Sequence, residues 1–223
     1  MTPEQQWLAA MWPKVRADLP TPPAVVVEVG CGRLGGFVPW LRDSGYRALG
    51  IDPAAPEGSS YQRVEFERSD LPARLDAVVA CTSLHHVAEP ATVLDKVADA
   101  LISRGLVIVV EWDWERFDEA TARWCFERLV PSAEGGWLQR RREEWGASGQ
   151  AWEDYLHGWA AGEGLHSGQR LLRELDERFQ RLICDRGPYF FPDLAETSDA
   201  DELEAINAGR IQATRIDYVG RRS

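Results

Sequence analysis

Val25-Val26-Val27-Glu28-Val29-Gly30-Cys31-Gly32 passes from a continuous apolar run into two closely spaced glycines, and Leu49-Gly50-Ile51-Asp52 follows downstream. A short unbroken apolar run reads as a strand buried on both faces of a parallel sheet. The glycines let the backbone turn sharply and come close to a ligand. Phe37, Val38, Trp40 and Leu41 fit a short helix after that turn, closed by Gly45, before a second apolar run ends in an acid. In such a unit the turn and Asp52 both sit at the carboxyl edge of the sheet, where an acid can accept both hydroxyls of a ribose. The stretch points to a nucleoside-bearing cofactor.

Outward from this unit, strand and helix alternate through the first 111 residues. A helix over about 4–18 carries Trp7, Leu8, Met11, Trp12 and Val15 at helical spacing and ends before Pro20, Pro22 and Pro23. Apolar runs at Tyr46–Ile51, Leu75–Cys81 and Gly105–Val110 read as strands, with a short one near Tyr61–Phe66. Pro90 suits a first helical position, with Val93, Leu94, Val97, Ala98 and Leu101 on one face. The alternation predicts a doubly wound α/β sheet. From Trp112 the pattern changes to helices over about 118–130, 137–146, 151–162 and 168–178, then strands over about 179–185 and 211–219. The expected organisation is one domain: an N-terminal helix and linker (1–23), a cofactor-binding core (24–111), a helical insertion or lid (112–178) and the last strands (179–223).

Composition narrows the classes. A length of 223 residues with 44% hydrophobic and 27% charged residues suits one globular domain with a sizeable core. The net charge of -11 argues against a nucleic-acid backbone or an anionic membrane surface as partner. Met1–Trp12 has no apolar core of a signal peptide, and no apolar run is long enough to span a bilayer. Cys31, Cys81, Cys125 and Cys184 are scattered, with no metal-like spacing, and read as reduced thiols of a cytoplasmic protein. No metal site is expected.

Gly30-Cys31-Gly32-Arg33-Leu34-Gly35 also fits the dinucleotide fingerprint, so taken alone it serves NAD, FAD or S-adenosylmethionine, or is a structural turn. Glu28, two residues before the first glycine, and Cys81-Thr82-Ser83-Leu84-His85-His86-Val87 discriminate among these. With them the chain resembles the class I S-adenosylmethionine-dependent methyltransferases, particularly the small-molecule group with an LHHV-type segment. The matching residues are Glu28–Gly32, Gly50-Ile51-Asp52, Leu75–Val79 and Ser83–Val87, with Leu106–Val110 as the fifth strand, so the likeness covers roughly 24–111. It implies a Rossmann-like, mostly parallel sheet with an antiparallel last strand and a helical insertion after the fifth strand. It also implies S-adenosyl-L-methionine as cofactor and methyl transfer to oxygen or nitrogen of a small molecule. By the same resemblance Glu28, Gly30, Cys31 and Gly32 line the methionine side, Asp52 holds the ribose, Glu67 with Arg68 flanks adenine, and Thr82, Ser83 and Leu84 lie beneath the donor sulfur. Two departures stand out. Leu34 occupies the usual place of the third glycine, with Gly35-Gly36 after it, and Glu67 competes with Asp70 for the adenine-holding role.

Methyl transfer is a displacement on an activated carbon, so alignment supplies much of the rate and a base is needed only for a protonated nucleophile. His85 and His86 either deprotonate the acceptor or shape the pocket. Glu111-Trp112-Asp113-Trp114 ends the fifth strand at the same edge. Its acids either orient a substrate or cap helices, and its tryptophans either wall the pocket or fill the core. Tyr189, with Phe190 and Phe191 between Pro188 and Pro192, is a further candidate pocket wall. Much of the chain's tryptophan lies between the fifth and sixth strands, where core packing competes with a lid for a flat or apolar substrate or a methylated cation. His157 and His166 read as surface or structural residues. The competing classes are a cofactor-binding protein without methyl transfer and, more remotely, an NAD-dependent oxidoreductase.

Overall fold

The computed structural model describes residues 1–129 and 136–222. The expected helix over 118–130, the insertion over 112–178 and the segment over 179–223 each include residues outside that set. In chain order the elements are α1 (Pro3–Asp18), β1 (Val25–Val29), α2 (Val38–Asp43), β2 (Arg47–Ile51), β3 (Tyr61–Gln62), β4 (Leu75–Cys81), α3 (Pro90–Ala100) and β5 (Leu101–Trp112). Then come α4 (Glu119–Phe126), α5 (Trp137–Ser148), α6 (Trp152–Gly162), α7 (Gly168–Arg178), β6 (Gln180–Gly187), α8 (Asp199–Asn207) and β7 (Arg215–Arg221).

The strands form one seven-stranded sheet in the order β3-β2-β1-β4-β5-β7-β6. All pairs from β3 to β5 are parallel, and β7 runs antiparallel to both β5 and β6. The central strands β1, β4 and β5 are apolar on both faces because helices cover both. On one face α1 and α2 bring Met11, Val15, Phe37, Val38 and Leu41 against Val26, Ala77, Val79 and Ile108. On the other, α3 and α7 bring Val93, Leu94, Val97, Leu171 and Leu175 against Val27, Val29, Val78 and Val107. The edge strand β6 is largely exposed and bears Arg181, Asp185 and Arg186, charges that discourage pairing with another strand.

Two expectations shift. Leu101, placed by periodicity on the α3 face, begins β5 instead, and a register irregularity between Leu75 and Ala77 takes up the irregular start of that strand. And α7, grouped by sequence with the insertion, packs on α3 and joins the sheet core. It is α4, α5 and α6 that build a separate aromatic core around Phe117, Trp152 and Phe190. Among the described residues no helix is long and apolar enough to cross a membrane.

Candidate functional site

A cavity of about 830 Å3 opens at the carboxyl ends of β1, β2 and β4. The turn after β1 forms its floor. Gly30 has a φ of 75°, and a Cβ there would overlap the Ser83 side chain, so only glycine lets the two loops touch. Farther along, Gly36, with a φ of 56°, lies where any Cβ would run into the Glu28 carboxylate. Gly36 thus supplies the close approach that Leu34 cannot, and the displaced glycine is accommodated by a longer turn. Leu34 itself is 41% exposed.

Glu28 is buried, with Oε2 accepting from the Phe37 amide at 2.7 Å, and burial pushes its carboxyl up to about 8. Asp52 follows β2 and accepts from the Gly32 amide at 3.1 Å and the Ala54 amide at 2.7 Å. One bond to each oxygen leaves lone pairs on both for a ligand. At the far wall Glu67 and Arg68 sit on a short 3-10 turn, Phe66–Arg68, while Asp70 is exposed and lies outside the lining. Sequence reasoning missed what holds that turn. The Lys96 ammonium of α3 donates to the carbonyls of Phe66, Glu67 and Ser69 at 2.8, 3.1 and 2.6 Å. A lysine on the polar flank of an amphipathic helix gives no signal for such a role.

The loop after β4 is fixed from β5. Glu111, 1% exposed, accepts from the Ser83 and Leu84 amides at 2.7 and 2.6 Å, and its other oxygen lies 2.5 Å from His85 Nδ1. The candidate substrate-orienting role of Glu111 is therefore corrected: its oxygens are taken up by this loop and do not line the cavity. His85 and Leu84 are buried with it, so they too fall outside the lining, whereas Thr82, Ser83 and His86 stay within it. The β-branched Thr82 is held at a φ of 49°, a strained conformation for such a residue. The ring of His86 lies 4.2 Å from that of His85, and desolvation, then the neighbouring His85, pulls its pKa below the ordinary imidazole value.

Asp113 and Trp114 also need correcting. Asp113 pairs with Arg186 and packs against Gly168 at the N-terminus of α7, where a carboxylate meets the positive end of the helix dipole. Trp114 is buried and donates its indole N–H to the His166 carbonyl at 3.2 Å. Trp112, 4% exposed, lies one layer back, stacked on Tyr189 with ring centroids 5.8 Å apart. His166 proves structural: its backbone N–H donates to the His85 carbonyl and its Nε2 to the Val87 carbonyl, tying the insertion to the β4 loop.

Tyr189 lines a second cavity, about 480 Å3, which shares Glu4, Trp7 and Thr82 with the first. The N-terminal helix α1 therefore contributes to both, through Glu4 and through Trp7, which reads in sequence as part of a core stripe. Among the described residues no three His, Cys, Asp or Glu side chains are grouped to hold a metal.

A profile of methyltransferase domains matches residues 5–155, well over half of the chain. The chain belongs to the methyltransferase-domain family. Solved structures that share its fold include an S-adenosylmethionine-dependent methyltransferase from Mesorhizobium loti, 21% identical, with a TM-score of 0.57 over 96% of this chain and 98% of that one. Another is geranyl diphosphate C-methyltransferase from Streptomyces coelicolor A3(2), solved with Mg2+, geranyl-S-thiolodiphosphate and S-adenosyl-L-homocysteine. It is 14% identical, with a TM-score of 0.55 over 96% of this chain and 76% of that one. A third is 1,6-didemethyltoxoflavin-N1-methyltransferase from Burkholderia thailandensis, with its substrate and S-adenosylhomocysteine bound, at 14% identity and a TM-score of 0.51 over 99% and 78%. No curated protein matches the sequence.

The methyltransferase domain is an enzyme, and S-adenosyl-L-methionine is its cofactor. The residues present fit that molecule. The cavity is lined by the acids Glu4, Asp52, Glu65 and Glu67, with the protonated Glu28 behind them, and among the described residues Arg68 is the one fixed cation in its wall, which suits a sulfonium and an ammonium better than phosphates.

Proposed function

We propose that this methyltransferase belongs to the LHHV-type small-molecule group and methylates oxygen or nitrogen of a small acceptor. The observation that carries the reading is the junction of two cavities, one built on the glycine turn and Asp52, the other aromatic, meeting at Glu4, Trp7 and Thr82. A cofactor in the first cavity and an acceptor in the second would face each other across that junction. The geranyl diphosphate and didemethyltoxoflavin enzymes, which share the fold, act on small molecules and support a small acceptor, and the second, an N1-methyltransferase, supports nitrogen.

When bound, the cofactor supplies a methyl carbon already activated by its sulfonium. The chain's own residues bind, orient and exclude water. Glu28, Gly30, Cys31 and Gly32 line the methionine side, Asp52 accepts from the ribose hydroxyls, and Glu67 with Arg68 borders adenine. Thr82 and Ser83 support the reacting end, with Leu84 and Glu111 behind them as positioning residues. His86 is the histidine that can take a proton from an acceptor, since its lowered pKa keeps it neutral near pH 7 and it faces the cavity. Helices α4 to α6 form the lid, with Trp137 and Tyr189 at its inner wall and Trp112 stacked behind Tyr189. Four free cysteines, three of them buried, suit a reducing cytoplasm. The net negative charge leaves nucleic acid and anionic membrane out of the reading.

Calorimetric titration with S-adenosylmethionine and S-adenosylhomocysteine tests the assignment. Asp52→Ala should lose about 1–3 kcal/mol of affinity for both, the scale of charge-assisted hydrogen bonds. Unchanged affinity would remove the ribose role. Formation of S-adenosylhomocysteine with small alcohols, phenols or amines, monitored by mass spectrometry, tests the transfer itself.

A further inference from the structure

The second cavity has a distinctive chemistry. Its rings are Trp7, Trp137 and Tyr189, and its charged residues are Glu4 and Asp193, with no Lys, Arg or His among the described residues of the wall. Asp193 follows Pro192 on the short turn Phe191–Asp193 and is only partly accessible. Its Oδ2 accepts from the Trp137 indole N–H at 3.2 Å, and no cation among the described residues lies within ion-pair distance of the carboxylate. Burial accordingly raises its pKa above the ordinary carboxylate value. A half-hidden carboxylate with one neutral donor and no counter-charge is under-compensated, because desolvation of an anion is costly unless a positive group meets it.

The turn is also held rigidly in place. Glu202 of α8, fully buried, accepts from the amides of Tyr189 and Phe191 at 2.7 and 2.8 Å, and Tyr189 packs edge-on against Trp7 at 4.8 Å. Aromatic faces beside a carboxylate attract cations from two sides, through the ring quadrupole and through direct charge. A phosphate or carboxylate on the ligand would meet Glu4 and Asp193 with nothing to offset them.

We propose that the second cavity selects acceptors that carry a basic nitrogen on a flat apolar body, with Asp193 as the specificity-determining residue. The proposal rests on the function read above and deepens it: Asp193 holds the ammonium, while Trp7, Trp137 and Tyr189 cover the apolar part. The anchored nitrogen need not be the atom that is methylated.

Tryptamine and tryptophol share a ring system and differ in bearing an amine or an alcohol, so they serve as probes. The protein is first titrated with S-adenosylhomocysteine, and the saturated complex is then titrated with each probe at pH 7.5. Tryptamine is expected to bind at least tenfold more tightly than tryptophol. Asp193→Asn should erase that preference while leaving S-adenosylhomocysteine affinity within twofold of wild type, and Asp193→Glu should retain part of it. Equal binding of the two probes, binding of neither, or a preference that survives in Asp193→Asn would overturn the proposal. The wild-type comparison decides even if a variant fails to fold. Absence of S-adenosylhomocysteine binding to the wild-type protein would instead overturn the function reading, and this proposal with it.

Discussion

Glu28 shows how one side chain links the turn, the fold and the cofactor cavity. Its carboxylate sits in the space left by Gly36 and accepts from the first amide beyond the turn, so its burial is a consequence of the turn's geometry. Burial raises its pKa from 4.5 to about 8 in the folded protein. Between those values the folded state holds a proton that the unfolded chain has released. The stabilisation from this group is therefore complete below about pH 4.5, declines as pH rises and is gone above about pH 8. A Glu28→Gln variant, neutral at every pH, should gain thermal stability relative to wild type as pH is raised from 5 to 9. Parallel melting curves across that range would show that Glu28 does not titrate as described. At this scale sequence was informative about identity and poor about direction. Glu28 and Asp52 were legible because strand, turn and strand fix where they emerge. Glu111 looked equally exposed at a strand end, yet its carboxylate turns inward to the Ser83 and Leu84 amides. The direction of a side chain near a strand's end depends on the loop packed beside it, which here lies far away in sequence.

At the scale of elements, the contribution of α3 was the least visible. Its apolar stripe predicted a helix packed on the sheet, and that is what forms. What its polar flank does is set by a neighbour. Lys96 gathers three carbonyls of the Phe66–Ser69 segment and lies 5.2 Å from the Phe66 ring, so it shapes the wall bordered by Glu67 and Arg68. Lys96→Met keeps the packed stem and removes the donors. It should weaken S-adenosylhomocysteine binding by about 1–2 kcal/mol, the net worth of the lost hydrogen bonds, without direct contact to the ligand being required. An unchanged dissociation constant by calorimetry would mean that the segment holds its shape unaided. The insertion offers a parallel case. Trp152, Tyr155 and Leu156 fall at helical spacing and do form a core, but only the packing of α5 on the Phe191–Asp193 turn carries Trp137 into a cavity.

For the whole molecule, charge is the property that reaches farthest. The net charge of -11 and the acidic lining of the cofactor cavity give the same sign near and far. Association of a cationic cofactor should therefore be accelerated electrostatically and slowed by salt. In stopped-flow measurements of tryptophan fluorescence, raising ionic strength from about 10 mM to 300 mM should slow binding of S-adenosylmethionine more than that of S-adenosylhomocysteine, which lacks the sulfonium charge. Identical salt dependence for the two would remove steering from the account. Sequence alone determined the alternating α/β pattern and the glycine turn with its partner acid, which point to a nucleoside-bearing cofactor, and Glu28 with Cys81–Val87 narrowed that by resemblance to S-adenosylmethionine. Those features are local: apolar runs, glycine spacing and strand ends fix backbone paths over a few residues. Only the tertiary structure decided that β7 enters between β5 and β6, that α7 returns to the sheet, and that Glu4, Trp7, Trp137 and Asp193 share a cavity. These residues are far apart along the chain, and what unites them is the packing of α1, α5 and the last crossover over one sheet edge, where burial chooses which side chains face the ligand.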